Sequence, residues 1–153
     1  MSLLRFPLFW IECRNCGYRS HTLSDPGDGR FRLLLSKHTH EAALVDCDDD
    51  SAFTEICKLV SELVPVGTPL HKKLQTVDYV FGKICDKGPD GSSYDMTGAR
   101  ECSKCGSRDV EFGPTDPPEY SEDELARVTH TQWDSMTEDQ RRRLVLKLTH
   151  DIC

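Results

Sequence analysis

Two copies of one short pattern, Cys13-Arg14-Asn15-Cys16-Gly17 and Cys102-Ser103-Lys104-Cys105-Gly106, constrain this chain more than any other feature. Two residues between cysteines let both sulfurs of a pair reach one ion along an edge of a tetrahedron. The glycine that follows can take positive φ, so the chain turns back on itself with amide N–H groups near the thiolates. Cys13, Cys16, Cys102 and Cys105 are therefore the candidate metal ligands. One structural zinc per chain is the expected ion, and iron is the alternative that the same donors allow. The metal should contribute to folding, because such a site does not exist in the unfolded chain.

Cys13, Cys16, Gly17 and Tyr18 on one side, and Cys102, Cys105 and Gly106 on the other, resemble the knuckles of zinc-ribbon and rubredoxin-like proteins. The resemblance implies two knuckles on facing hairpin turns. It departs from that pattern in length, since positions 17–101 hold enough chain for a subdomain. Ser103 also stands where the second knuckle of rubredoxin-like proteins typically carries proline. No specific family follows, and ribbon folds serve too many purposes for the motif to name a function.

The expected fold class is α+β: zinc-ribbon hairpins with a long inserted strand-strand-helix subdomain and a C-terminal helical tail. Leu8–Glu12 and Arg19–Leu23 read as strands flanking the first knuckle, and Asp109–Phe112 as the strand leaving the second. Arg30–Ser36 and Ala42–Cys47 read as a hairpin within an insert spanning about 30–86. Ser51–Val64 is the clearest helix: Asp50 or Ser51 caps it, Pro65 stops it, and Phe53, Ile56, Cys57, Val60, Leu63 and Val64 recur at helical spacing. A second helix is expected after Thr68-Pro69, with Thr68 as cap and Pro69 in the first turn, although Val77, Tyr79 and Phe81 also alternate as in a strand. The ribbon with its insert fills 1–112. Residues 113–120, carrying Pro114, Pro117 and Pro118, read as a connector to a helical tail at 121–153. Two capping-box patterns, Ser121 with Glu124 and Thr137 with Gln140, predict a short helix and then a longer one over Glu138–His150. Trp133 is expected to help dock that tail.

The chain has 153 residues, Asp and Glu outnumber Lys and Arg, and the formal charge is −7. Four thiolates around a dication would make it more negative still. The acid is clustered at Asp46, Asp48, Asp49 and Asp50, and again at Asp116, Glu119, Glu122, Asp123 and Glu124. Such a surface suits a basic protein partner, and Asp46, Asp48, Asp49 and Asp50 are the candidate contacts. An immunity or antitoxin-type inhibitor is a concrete form of that expectation. A nucleic-acid-associated ribbon in transcription or translation is the alternative, using Arg14, Arg19, Arg100, Lys104 and Arg108 near the knuckles, against the overall charge. Rubredoxin-like electron transfer is a third.

Catalysis is not expected, because a four-cysteine site leaves no open coordination position and no nucleophile elbow, H-E-x-x-H or phosphate loop occurs. Arg5 and Pro7 interrupt the apolar Met1–Ile11 stretch, so no signal peptide is read there, and nothing approaches a membrane span. A cytoplasmic address follows as the expectation. His38 and His40 lack a third ligand for a second metal site. Cys47, Cys57 and Cys85 read as small, partly buried residues; Cys153 is left without a role.

Overall fold

The computed structural model describes residues 4–122 and 124–152; Met1–Leu3, Asp123 and Cys153 lie outside it. Strand β1 (Phe6–Cys13) turns Phe6, Ile11 and Cys13 inward and forms the centre of one antiparallel sheet. It pairs on one edge with β2 (Arg19–Leu23) and on the other with a strand from far along the chain, Val110–Pro114. A second antiparallel sheet is built on β3 (Phe31–Ser36), flanked by β4 (Ala42–Asp46) and the two-residue β5 (Tyr94–Asp95). In chain order the Val110–Pro114 strand is β6, and β7 (Tyr120–Ser121) pairs with the start of β1. Phe6, Leu33 and Leu44 form a small core that joins the two sheets. The fold class is α+β.

The larger core lies under the helices. Helix α1 (Ser51–Leu63) starts where the Asp50 carboxylate accepts from the Phe53 amide at 2.9 Å and stops before Pro65. Its Ala52, Ile56, Leu59 and Val60 face Leu34 and Val45 of the preceding hairpin, so the apolar stripe is core. Helix α2 (Leu70–Ile84) buries Val77, Val80, Phe81 and Ile84 in the same cluster. A bidentate ion pair from Arg32 to Asp78, at 2.8 and 2.9 Å, ties α2 to β3. Thr68 does not cap this helix. Its hydroxyl donates back to the Pro65 carbonyl at 2.6 Å, and Pro69 takes the cap position without a side-chain bond.

Gly82 lets α2 and β5 approach one another. A Cβ built there would lie 2.9 Å from the Tyr94 carbonyl oxygen, a backbone atom that cannot swing aside. Alanine would gain about 1 kcal/mol of helix propensity in an open helix. Here Gly82→Ala is expected to lower stability, because forced repacking costs roughly 1–3 kcal/mol. A urea midpoint at or above that of the parent would show that β5 yields without cost.

The tail folds back onto the same chain. Thr137 and Gln140 form the reciprocal capping box, at 2.9 and 3.2 Å, that begins α4 (Glu138–Ile152). Val145 is fully buried, with Leu144 and Leu148 packed beside it against the core of α1 and α2. Trp133, in the short helix α3 (Thr131–Asp134), is 1% exposed and fills the same core. The Arg141–Arg143 run is engaged within the chain: Arg141 with Glu55, Arg142 with Glu62, Arg143 with Asp139.

One expectation fails for a physical reason. The Ser121 and Glu124 pattern starts no helix, because Tyr120 and Ser121 pair with Pro7 and Phe6 as β7. Of the 113–120 segment, Gly113 and Pro114 lie in β6 opposite Trp10 and Phe9, and Tyr120 returns to β1. Pairing along β1 outweighs the local helix signal.

Candidate metal centre

Each knuckle is closed by the same pair of backbone bonds. Gly17 donates to the Cys13 carbonyl at 2.9 Å and Gly106 to the Cys102 carbonyl at 2.8 Å. Cys13 and Cys102 in turn donate to the carbonyls of Tyr18 and Ser107, at 2.9 and 2.8 Å. Gly17 and Gly106 sit at φ +77° and +76°, a conformation that costs other residues strain, which is why the pattern carries glycine after the second cysteine. The amides aimed at sulfur come from other positions: Cys16 N–H points at Cys13 Sγ (3.4 Å), and Lys104 and Cys105 N–H at Cys102 Sγ (3.4 and 3.5 Å).

The elements place the knuckles face to face. β1 runs directly into Cys13, and Cys13 is paired with Val110 of β6, so the strand leaving the second knuckle lies beside the strand entering the first. The sheet beside the knuckles is therefore one hairpin plus a strand from the distant end, and Arg100–Glu101 does not pair with β6. Those residues are held by β2 and the β3–β4 turn instead. Glu101 N–H donates to the Lys37 carbonyl at 2.8 Å, and the His40 ring bonds the Glu101 carbonyl at 2.8 Å. His40 takes φ +61° in the β3–β4 turn to present that ring. Arg100 reaches inward to Thr22 Oγ1 and the Leu23 carbonyl, at 3.3 and 3.1 Å, and covers the Phe112 ring.

The four sulfurs of Cys13, Cys16, Cys102 and Cys105 all lie within 4.8 Å of one another. Sulfurs of opposite knuckles approach to 3.6 Å in two pairs, Cys13 with Cys105 and Cys16 with Cys102. A tetrahedron with metal–sulfur bonds of about 2.3 Å has edges of about 3.8 Å, so the cluster fits a four-coordinate ion. Electrostatics point the same way. The Cys105 and Lys104 amides, working against burial, lower the Cys102 thiol to about 6. Cys16 is pushed up to about 11: the Tyr18 amide favours its thiolate, but burial and the three neighbouring sulfurs outweigh it. Four sulfurs this close cannot all ionise without a cation between them. Cys13 and Cys102 are buried while Cys16 and Cys105 are exposed, so the cluster lies at the surface edge of the ribbon. Among the described residues, no other group of His, Cys, Asp and Glu is drawn together as a candidate metal site.

The remaining candidates are placed less uniformly. Asp46 is 3% exposed and gripped by Arg30 at 2.9 and 2.8 Å. Asp50 caps α1 and meets the His130 ring at 3.1 Å. Burial of that ring opposes its charge, and the carboxylates of Asp50 and Asp134 overcome this, holding the imidazolium above its ordinary value. Asp48 and Asp49 are exposed, with only distant contacts of 3.9 Å to Arg30 and Arg127. Among the basic residues near the knuckles, Arg14 pairs with Asp109 and Glu111 and Arg100 is turned inward. Burial raises the thiols of Cys47, Cys57 and Cys85, which suits inert packing residues.

His40, Lys37, Arg30 and His130 were not singled out as partners of the site or of the acidic run. Their contacts span 16 to 80 residues of chain, so no local pattern marks them. No helix of the described residues is long and apolar enough to cross a membrane. Comparison with family models, with curated proteins and with solved structures finds no match to this chain.

Proposed function

We propose that the protein is a non-catalytic binding protein, clipped by one structural zinc, whose acidic surface docks a basic protein partner. The observation that carries the first half is the facing pair of knuckles, whose four sulfurs complete a tetrahedral set. A zinc held by Cys13, Cys16, Cys102 and Cys105 would have no position left for substrate or activated water, and would supply rigidity rather than Lewis-acid chemistry. Zinc is preferred to iron because Ser103 departs from the rubredoxin-like knuckle. Metal analysis and a visible spectrum of protein purified without added metal test this: one colourless zinc per chain is expected, and iron with charge-transfer bands would make the protein an electron carrier.

Support for the second half is the formal charge of −7 and the solvent exposure of Asp48, Asp49, Asp116, Glu119, Glu122 and Glu124. An immunity or antitoxin-type inhibitor is the concrete form of this reading. Asp46 and Asp50 are unsuited to testing it, since replacing either breaks a contact inside the fold. Asp48→Lys with Asp49→Lys leaves those contacts in place. With the partner recovered on the immobilised protein, the double variant is expected to slow association about tenfold at low salt and to flatten its salt dependence. An unchanged on-rate and salt slope would remove this patch from the interface.

A further inference from the structure

The three most exposed large apolar side chains of the described residues fall within one short stretch. Val66 is fully exposed, Leu70 is 71% exposed and Leu74 is 54% exposed. Several other exposed apolar rings are covered by cations: Tyr120 by Arg5, Phe112 by Arg100, Tyr18 by Lys104. Leu70, Leu74, Val77 and Phe81 form one helical stripe on α2, yet only the part from Val77 onward enters the core. The first two turns of the helix thus carry apolar residues that nothing in the chain covers. A cleft of about 690 Å³ on the other side of α2, lined by Val64, Pro65, Lys72, Tyr79, Ile152 and the Arg32-paired Asp78, includes none of these three side chains.

The charge of this segment is opposite to that of the molecule. Between Glu62 and Asp78 the chain has no carboxylate, while His71, Lys72 and Lys73 follow one another. Neither lysine has an ion-pair partner among the described residues. The α2 start has no side-chain cap and no acidic residue in its first turn, so the positive end of the helix dipole faces solvent as well. A second copy of this chain would bring the same cations against themselves across a two-fold axis. An anionic lipid surface would repel a molecule of net charge −7.

We propose that Val66, Leu70 and Leu74 dock an acidic amphipathic helix of another protein. Its apolar residues would cover the leucines while its carboxylates meet Lys73, which flanks that face, and the N-terminus of α2. This surface is distinct from the metal centre and of opposite charge to the acidic face, so the inference stands apart from the function proposed above.

The test is a titration of the metal-loaded, 15N-labelled full chain followed by amide chemical shifts. The probes are a synthetic amphipathic peptide with leucines at i, i+4 spacing among glutamates, the same peptide with lysines, and phosphatidylcholine–phosphatidylserine vesicles. The expected result is shifts confined to residues 66–75 with the glutamate peptide alone. Leu70→Ser with Leu74→Ser should weaken that binding by about tenfold or more. Its thermal midpoint should stay close to that of the parent, because both side chains are exposed. Absence of shifts with the glutamate peptide, equal binding of the lysine peptide, or undiminished binding by the double variant would overturn the proposal. So would a response to the vesicles, or a dimer in sedimentation velocity that the double variant abolishes.

Discussion

Cys102→Ser is expected to lose its metal and unravel the ribbon while leaving most of the helical layer folded. Cys102 is 3% exposed, and its sulfur receives the Lys104 and Cys105 amides as well as facing Cys16. A serine hydroxyl stays protonated and cannot replace a thiolate ligand. Structural zinc contributes on the order of 10 kcal/mol in small peptides, comparable with the stability of a whole domain. The loss should spread along the bonds that hold the second knuckle: Glu101 to Lys37 and His40, and Arg100 to Thr22 and Leu23. The large core under α1, α2 and α4 contains none of the four ligands, so helical circular dichroism should persist. Metal analysis with hydrogen exchange checks this. A variant with one metal per chain and an unchanged thermal midpoint would refute the four-thiolate assignment.

Trp133→Ala is expected to have the largest effect on the helical layer. The ring is 1% exposed among Val60, Phe81 and Val145, with the Arg141 guanidinium 5.3 Å from its centroid. Truncating a buried tryptophan costs about 3–5 kcal/mol. For a domain of this size that lowers the midpoint by roughly 6–20 °C. The Arg141 bond to the Trp133 carbonyl is to the backbone and survives, so the loss reports on the ring. Leu146→Ala, on the solvent side of α4 at 39% exposure, should change stability by less than about 0.5 kcal/mol. Equal midpoints for the two variants would mean that Trp133 does not hold the tail in place.

The knuckles were legible because their chemistry is local: two residues between sulfurs and a glycine at positive φ are requirements of a few consecutive positions. α1 was legible for the same reason, since Asp50, the apolar stripe and Pro65 all act within one turn of their targets. β5 and β7 left no signal, being two residues long and formed only because β3 and β1 offer them an edge. Ser121 and Glu124 carried a valid helix signal that lost to strand pairing.

The aspartate run separates the two kinds of information most clearly. Its sequence shows four carboxylates close together and therefore a concentration of negative charge. It does not show that Asp46 points inward to Arg30 and that Asp50 serves both α1 and His130, which leaves Asp48 and Asp49 as the exposed pair. Likewise the sequence by itself picked out the four cysteines that gather as a candidate metal site and the amphipathic faces of α1 and α4. Which ends of the chain meet, which charges are neutralised and which leucines stay bare were decided by the tertiary structure. Those outcomes depend on free energies of contact between residues tens of positions apart, and the spacing of neighbours along a chain carries no record of them.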